Sequence, residues 1–194
     1  MNNSTKRQWA GIAALVSTAG LLAACGGGDT PADKYAGTWE SACEEADLYA
    51  VDQPGQPLKS IYRLTLTEAD SDTLHFAVNY RIYPASGCIG KPLATHANHA
   101  EKNTYRFDGT QRINGTEADR ITVNMAALGT LANGGQPVVV DGIRYPADFF
   151  IASVNDQKDL IVLEGSKLLF GAGTAVDANG YPAALDTAPR LTRR

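Results

Sequence analysis

Between residues 61 and 82 the chain alternates apolar and polar side chains with a period of two, and no other feature constrains its fold as tightly. In Ile61–Thr67 one side carries Tyr62, Leu64 and Leu66, the other Arg63, Thr65 and Thr67. Leu74, Phe76, Val78, Tyr80 and Ile82 then share a face opposite Thr73, His75, Ala77, Asn79 and Arg81. Side chains on a strand point alternately to opposite faces, so each run buries one face only. The polar stretch from Glu68 to Asp72 joins the two as a hairpin.

The same grammar continues downstream. Tyr105 to Phe107 and Arg120 to Met125 alternate in the same way, with Asp108-Gly109 and Asn114-Gly115 as turn signals between them. Val138–Val140 and Ile143–Tyr145 flank Asp141-Gly142 at the two-residue spacing of a type I′ hairpin. Phe149 to Val154, Leu160 to Leu163 and Leu168 to Gly171 follow, separated by Asn155-Asp156 and Gly165-Ser166. Glycines 129, 134 and 135 limit Ala126–Gly135 to a helical turn or two. About eight to ten short strands at hairpin spacing predict an all-β fold, first an antiparallel up-and-down barrel and second a sandwich.

The start of the chain is different in kind. Lys6 and Arg7 precede a stretch from Trp9 to Ala24 that is interrupted by Gly11, Ser17, Thr18 and Gly20. A spanning helix needs about 20 mostly apolar residues, so this shorter stretch reads as a secretory signal. It ends Leu22-Ala23-Ala24-Cys25, which resembles the lipobox of bacterial lipoprotein precursors. The resemblance implies cleavage before Cys25, acylation of that cysteine with diacylglyceryl and fatty acyl groups such as palmitate, and a membrane anchor. Gly26 after the cysteine resembles the sorting signal for the outer membrane, facing the periplasm. The expected organisation is a signal peptide at 1–24, a lipidated cysteine and tether at 25–34, and one domain at 35–194. Eight tether residues from Gly26 to Asp33 give an r.m.s. reach of about 16 Å.

With Cys25 committed to lipid, Cys43 and Cys88 remain, an even pair in a compartment where disulfides persist. A metal-binding or catalytic thiol would need a histidine or second cysteine at short spacing, and neither has one in sequence. Without the signal, 15 basic residues stand against 21 acidic, a net charge of −6 that argues against nucleic acid as a partner.

Tyr35-Ala36-Gly37-Thr38-Trp39 is similar to the Gly-x-Trp signature on the first strand of lipocalins and related calycins. The resemblance implies that Trp39 plugs the closed end of a calycin-like barrel and stacks on a basic residue from the last strand, for which Arg190, Arg193 and Arg194 are available. The Thr-Asp-Tyr motif of lipocalins proper is absent. A wider pattern resembles small bacterial lipoproteins with calycin-like barrels. It comprises Gly37-Thr38-Trp39 with Cys43, Tyr83 to Cys88, Leu168-Leu169-Phe170-Gly171, Asp177-x-x-Gly180-Tyr181-Pro182 and Leu185-Asp186.

Candidate chemistry is sparse. His96 and His99 would share a helix face with Glu101 nearby as a zinc donor set, but on a strand they point apart; in extended surroundings they read as a solvent-exposed pair. Asp177-Ala178-Asn179-Gly180 lacks the third ligand and distal glutamate of a calcium loop and reads as a turn. Glu44-Glu45 reads as a solubilising pair, and neither a Gly-x-Ser-x-Gly elbow nor a phosphate loop is present. No catalytic residue, metal or cofactor is therefore expected. Among the aromatic residues on apolar faces, Trp39, Tyr62, Phe76 and Tyr80 are the candidates for lining a small-ligand pocket in the barrel, with Phe149 and Phe170 on the same side of their strands. The expected protein is a monomeric, non-enzymatic, lipid-anchored binding module for a small apolar ligand or an envelope protein. The alternatives are a protein inhibitor presenting Ala85 to Lys91, and a metal-dependent enzyme.

Overall fold

A computed structural model describes residues 30–98, 100–186, 188 and 190–194. A five-residue helix, α1 (Pro31–Tyr35), is followed by strands β1 (Gly37–Glu40), β2 (Glu44–Ala50), β3 (Gln53–Asp70), β4 (Thr73–Tyr83), β5 (Ala94–Ala97), β6 (Thr104–Ile113), β7 (Thr116–Met125) and β8 (Leu128–Leu131). Then come β9 (Val138–Val140), β10 (Ile143–Tyr145), β11 (Asp148–Ile151), β12 (Val154–Glu164), β13 (Lys167–Phe170) and β14 (Leu191–Arg193). Eight of them pair in chain order, β1-β3-β4-β6-β7-β12-β13-β14, every pairing antiparallel, and β14 returns to β1 to close the ring. The fold is an up-and-down, barrel-like ring, as the alternation predicts. Strands β2 and β5 extend it on the free edges of β3 and β4.

Alternation decides what lies inside. Leu64 and Leu66 of β3, Leu74, Phe76 and Val78 of β4, Ile121 of β7, Ile161 of β12 and Leu168 of β13 form one buried cluster around Trp39. A second cluster, including Leu58, Ile82, Ala94, Tyr145 and Phe149, lies where β3 and β4 run on beyond β1 and are covered by β2, β5 and the two-stranded pairs β8/β11 and β9/β10. A third sits outside the ring, where Tyr181 and Leu185 of the segment after β13 cover Ala118, Leu160, Val162 and Leu169.

One end of the ring is plugged. Thr30 caps α1 through its hydroxyl and Pro31 opens it, both ordinary helix-start chemistry. Ala32 and Tyr35 are buried against the barrel core, so Pro31–Lys34, which the composition assigns to the tether, belong to the folded domain. Trp39 is 0 % exposed. Its indole N–H donates to the Tyr35 carbonyl at 2.9 Å, and the Arg193 guanidinium stacks 4.6 Å from its ring and donates to the Lys34 carbonyl at 3.2 Å. Of the three basic residues available for that role, the last strand supplies Arg193.

Two expected turns are instead β-bulges. Asp108-Gly109 sits within β6, where the register shifts between Phe107 and Gly109, and Asn155-Asp156 sits within β12, shifted between Val154 and Gln157. A residue at positive φ serves a bulge as well as a turn: Gly109 has φ 111° and Asp156 φ 49°. The expected strand Phe149 to Val154 is accordingly divided between β11 and β12, and Ala126–Gly135 contains β8 before its single 3-10 turn. Asn114-Gly115 and Asp141-Gly142 do make the hairpin turns, with positive φ at both residues of each pair.

Candidate functional site: the open mouth of the barrel

Opposite the plug, the ring opens into a cavity of about 520 Å³. Its wall is made by inward positions of five ring strands: Tyr62 from β3, Tyr80 from β4, Tyr105 from β6, Val123 and Met125 from β7, and Phe170 from β13. Tyr62 and Tyr80 are register partners and meet edge to face at 6.2 Å, and Phe170 meets Tyr105 edge-on at 6.5 Å. Such geometry aligns ring edges with ring faces, which suits the aromatic quadrupole. Phe76 lies one layer nearer the plug, its ring 4.4 Å from that of Tyr105. Of the four pocket candidates, Tyr62 and Tyr80 line the cavity; Trp39 and Phe76 are packed beneath it and do not.

The polar lining is acidic. Glu44, Glu45 and Asp47 of β2 and Asp159 of β12 reach the cavity, against one guanidinium, Arg190. Glu45 pairs with Lys59 at 3.0 Å and Arg190 with Asp186 at 2.8 Å. Glu44, Asp47 and Asp159 form no ion pair among the described residues. Burial pushes the Asp159 carboxyl above its ordinary range, opposed by the Leu160 and Gly171 N–H groups and by the Arg190 charge. Those two N–H groups donate to Oδ1 at 2.7 and 3.0 Å. Gly171 is required here: a Cβ would stand 2.3 Å from Pro182 Cγ and 2.6 Å from Asp159 Oδ1. Burial also raises the phenols of Tyr62 and Tyr105. Neither hydroxyl has a hydrogen-bond partner among the described residues.

Asp159, Tyr105 and Gln157 were not singled out from the sequence. The signal for Asp159 was present, since Asp159, Ile161 and Leu163 share the inward parity of β12.

The other candidates fall elsewhere. Cys43 and Cys88 form a disulfide with Cα atoms 5.8 Å apart, joining the β1–β2 junction to the loop after β4. His96 is on β5 opposite Tyr80 and is 5 % exposed, which corrects the expectation of a solvent-exposed histidine; burial lowers its pKa and its Nε2 lacks a partner. Hydrophobic neighbours on that face, rather than solvent, cover the edge strand. His99 and Cys25 lie outside the described residues. Asp177 makes the expected turn, accepting from the Asn179 and Tyr181 N–H groups. Glu44-Glu45, the expected solubilising pair, lies on β2 with both residues exposed. Among the described residues no three His, Cys, Asp or Glu side chains are grouped to hold a metal ion.

Two polar networks on the outer face are already saturated. Glu40 accepts from Arg63, Arg81 and Arg194, and Asp108 accepts from Thr122, Lys158 and the Tyr181 hydroxyl. A depression of about 680 Å³ beside α1 is lined by Thr30, Lys34, Ser166 and Arg193, and its Lys34 is paired with Asp119 at 2.9 Å.

Set beside protein-family models, curated proteins and solved structures, the chain matches none of them.

Proposed function

We propose that this chain is a lipid-anchored envelope protein that binds a small, largely apolar molecule in the open mouth of its barrel. The observation that carries the binding reading is the walled cavity itself: aromatic and apolar on its sides, with polar groups at its acidic rim, above a floor sealed by Trp39 and Arg193. Fold-level analogy with calycin-like barrels agrees with it and adds no ligand identity. The anchor, the outer-membrane address and the periplasmic side rest on the lipobox at Cys25 and on Gly26 alone. Native mass spectrometry of the protein released from the envelope tests the binding reading. A co-purifying small molecule, reduced when Met125→Trp narrows the mouth, is the expected result. A ligand-free spectrum that stays so with added small apolar compounds sinks it. For the anchor, a fatty-acid analogue should label the wild type and not Cys25→Ser; equal labelling removes the lipoprotein reading.

One observation favours a second reading, that of a protein inhibitor. Ile89 is 90 % exposed in the loop Ala85–Lys91, beside disulfide-bonded Cys88 and between Gly87 and Gly90, both at positive φ. A photo-crosslinker at Ile89 should then give one discrete protein adduct in cells. A solvent-quenched probe with no adduct leaves the loop without a partner.

A further inference from the structure

The cavity holds more chemistry than an apolar ligand would use. Tyr105 is 94 % buried by its 6 % exposure, lines the space, and keeps a hydroxyl that no described residue satisfies. A phenol that lines a cavity with no protein partner for its hydroxyl offers a guest a hydrogen bond there. Tyr62, half-buried beside it, also lines the space. Four carboxyl side chains and one guanidinium share the lining, three of the carboxyls on the exposed β2 rim, and among the described residues only Glu45 and Arg190 of these have ionic partners. That imbalance works against a fatty acid or any other anion, which would bring a like charge into a confined, partly desolvated space. It works for a cation, and aromatic faces add to the attraction.

We propose that the ligand of the mouth is an organic cation, an aryl or short alkyl body seated against Tyr62, Tyr80, Tyr105 and Phe170 and bearing an ammonium group that meets Asp159, Glu44 and Asp47. This rests on the reading of the mouth as a ligand site and narrows it to one chemical class. Asp159 contributes from the inside, its carboxylate oriented by the Leu160 and Gly171 N–H groups. Glu44 and Asp47 contribute from the exposed rim of β2 and also steer the approach of the charge.

Three probes with a common body separate the outcomes: 3-phenylpropyltrimethylammonium, 4-phenylbutyrate and 4-phenylbutanol, titrated into the whole chain and followed by calorimetry at low salt. The ammonium should bind about ten-fold tighter than the carboxylate, with the alcohol between them. Glu44→Gln with Asp47→Asn, two exposed positions that leave the core untouched, should cut that preference at least about three-fold without weakening the alcohol. If the carboxylate or the alcohol binds as tightly as the ammonium, the cation assignment is overturned and the pocket stands. If the preference survives the double substitution unchanged, the charge is read elsewhere and the assignment also falls. If none of the three binds, the ligand site itself is refuted and the assignment with it.

Discussion

The Tyr35 hydroxyl donates to Asp119 Oδ2 across 2.5 Å, linking the last residue of α1 to the inward face of β7. Lys34 reaches the same oxygen at 2.9 Å, and the Tyr35 hydroxyl also lies 3.0 Å from the Ile161 carbonyl. Tyr35→Phe keeps the ring stacked on Phe107 and removes the donor, so it should cost about 1–3 kcal/mol, read as a lower denaturant midpoint at unchanged slope. A midpoint equal to wild type would mean that Lys34 alone holds the plug.

Alkali should unfold the protein. Tyr35, Tyr62 and Tyr105 all have phenols raised above the ordinary 10.0, chiefly by burial. Above that value the unfolded chain loses protons that the folded one keeps, so stability is present below pH 10.0 and falls as pH rises past it. Each phenol contributes a slope of about 1.4 kcal/mol per pH unit. Tyr35→Phe should flatten the decline, and a denaturation midpoint constant from pH 9 to about 12 would refute the sign.

At low pH the direction depends on the carboxylate. Burial alone would raise Glu40 and Asp108, but hydrogen bonds from Arg63 and Arg194 outweigh it at Glu40, and those from Thr122, Tyr181 and Lys158 do so at Asp108. Glu40 is held below 4.5, and Asp108 is lowered from 3.8 to about 2. Their stabilisation is complete above the ordinary values and is lost as pH falls through the lowered ones. Asp159, raised by burial, runs the other way: its neutral form suits the fold, so stability falls as pH climbs through its folded pKa. Asp159→Asn should therefore raise the midpoint at neutral pH while Glu40→Gln lowers it. The opposite pair of shifts would contradict both assignments.

Trp39 offers an optical test of the plug. In a Trp9→Phe background its emission should be blue-shifted and insensitive to iodide, since the ring is enclosed beneath Arg193. Trp39→Ala should cost about 3–5 kcal/mol. Arg193→Ala should cost less, about 0.5–2 kcal/mol for the lost cation–π contact. Emission typical of exposed indole would sink the plug.

The Cys43–Cys88 bridge spans 45 residues, and removing it as a double alanine variant should cost about 4 kcal/mol in the loop-entropy model. Non-reducing peptide mapping should find one linked fragment. Two alkylatable thiols in the native, unreduced protein would refute it.

The ring was legible because its strands bury one face against a common core and leave the other wet, which writes the period of two into β3 and β4. Strands β2 and β5 left no such mark. Their buried positions are Ala46 and Ala50 in one and Ala94 and His96 in the other, side chains too small or too polar to register as an apolar face. Dipeptides such as Asp108-Gly109 specify a backbone angle and leave open whether the chain reverses or bulges; the partner strand decides. For the cavity, parity identified Tyr62 and Tyr80. Depth along the barrel axis, which separates them from Trp39 and Phe76, follows from the β3–β4 and β1–β3 registers and cannot be read from local pattern.

The seam between β1 and β14 has a consequence for how the molecule comes into being. Thr192 donates its hydroxyl to the Glu40 carbonyl from 152 residues away, and Trp39 is register partner to Arg193. Closing so long a loop is entropically late and kinetically slow compared with the hairpins β3–β4 and β6–β7. A chain delivered N-terminus first therefore holds an open, unsealed sheet until Leu191–Arg193 arrive. Deleting those few residues would leave the hairpins β3–β4 and β6–β7 intact and the barrel unlatched.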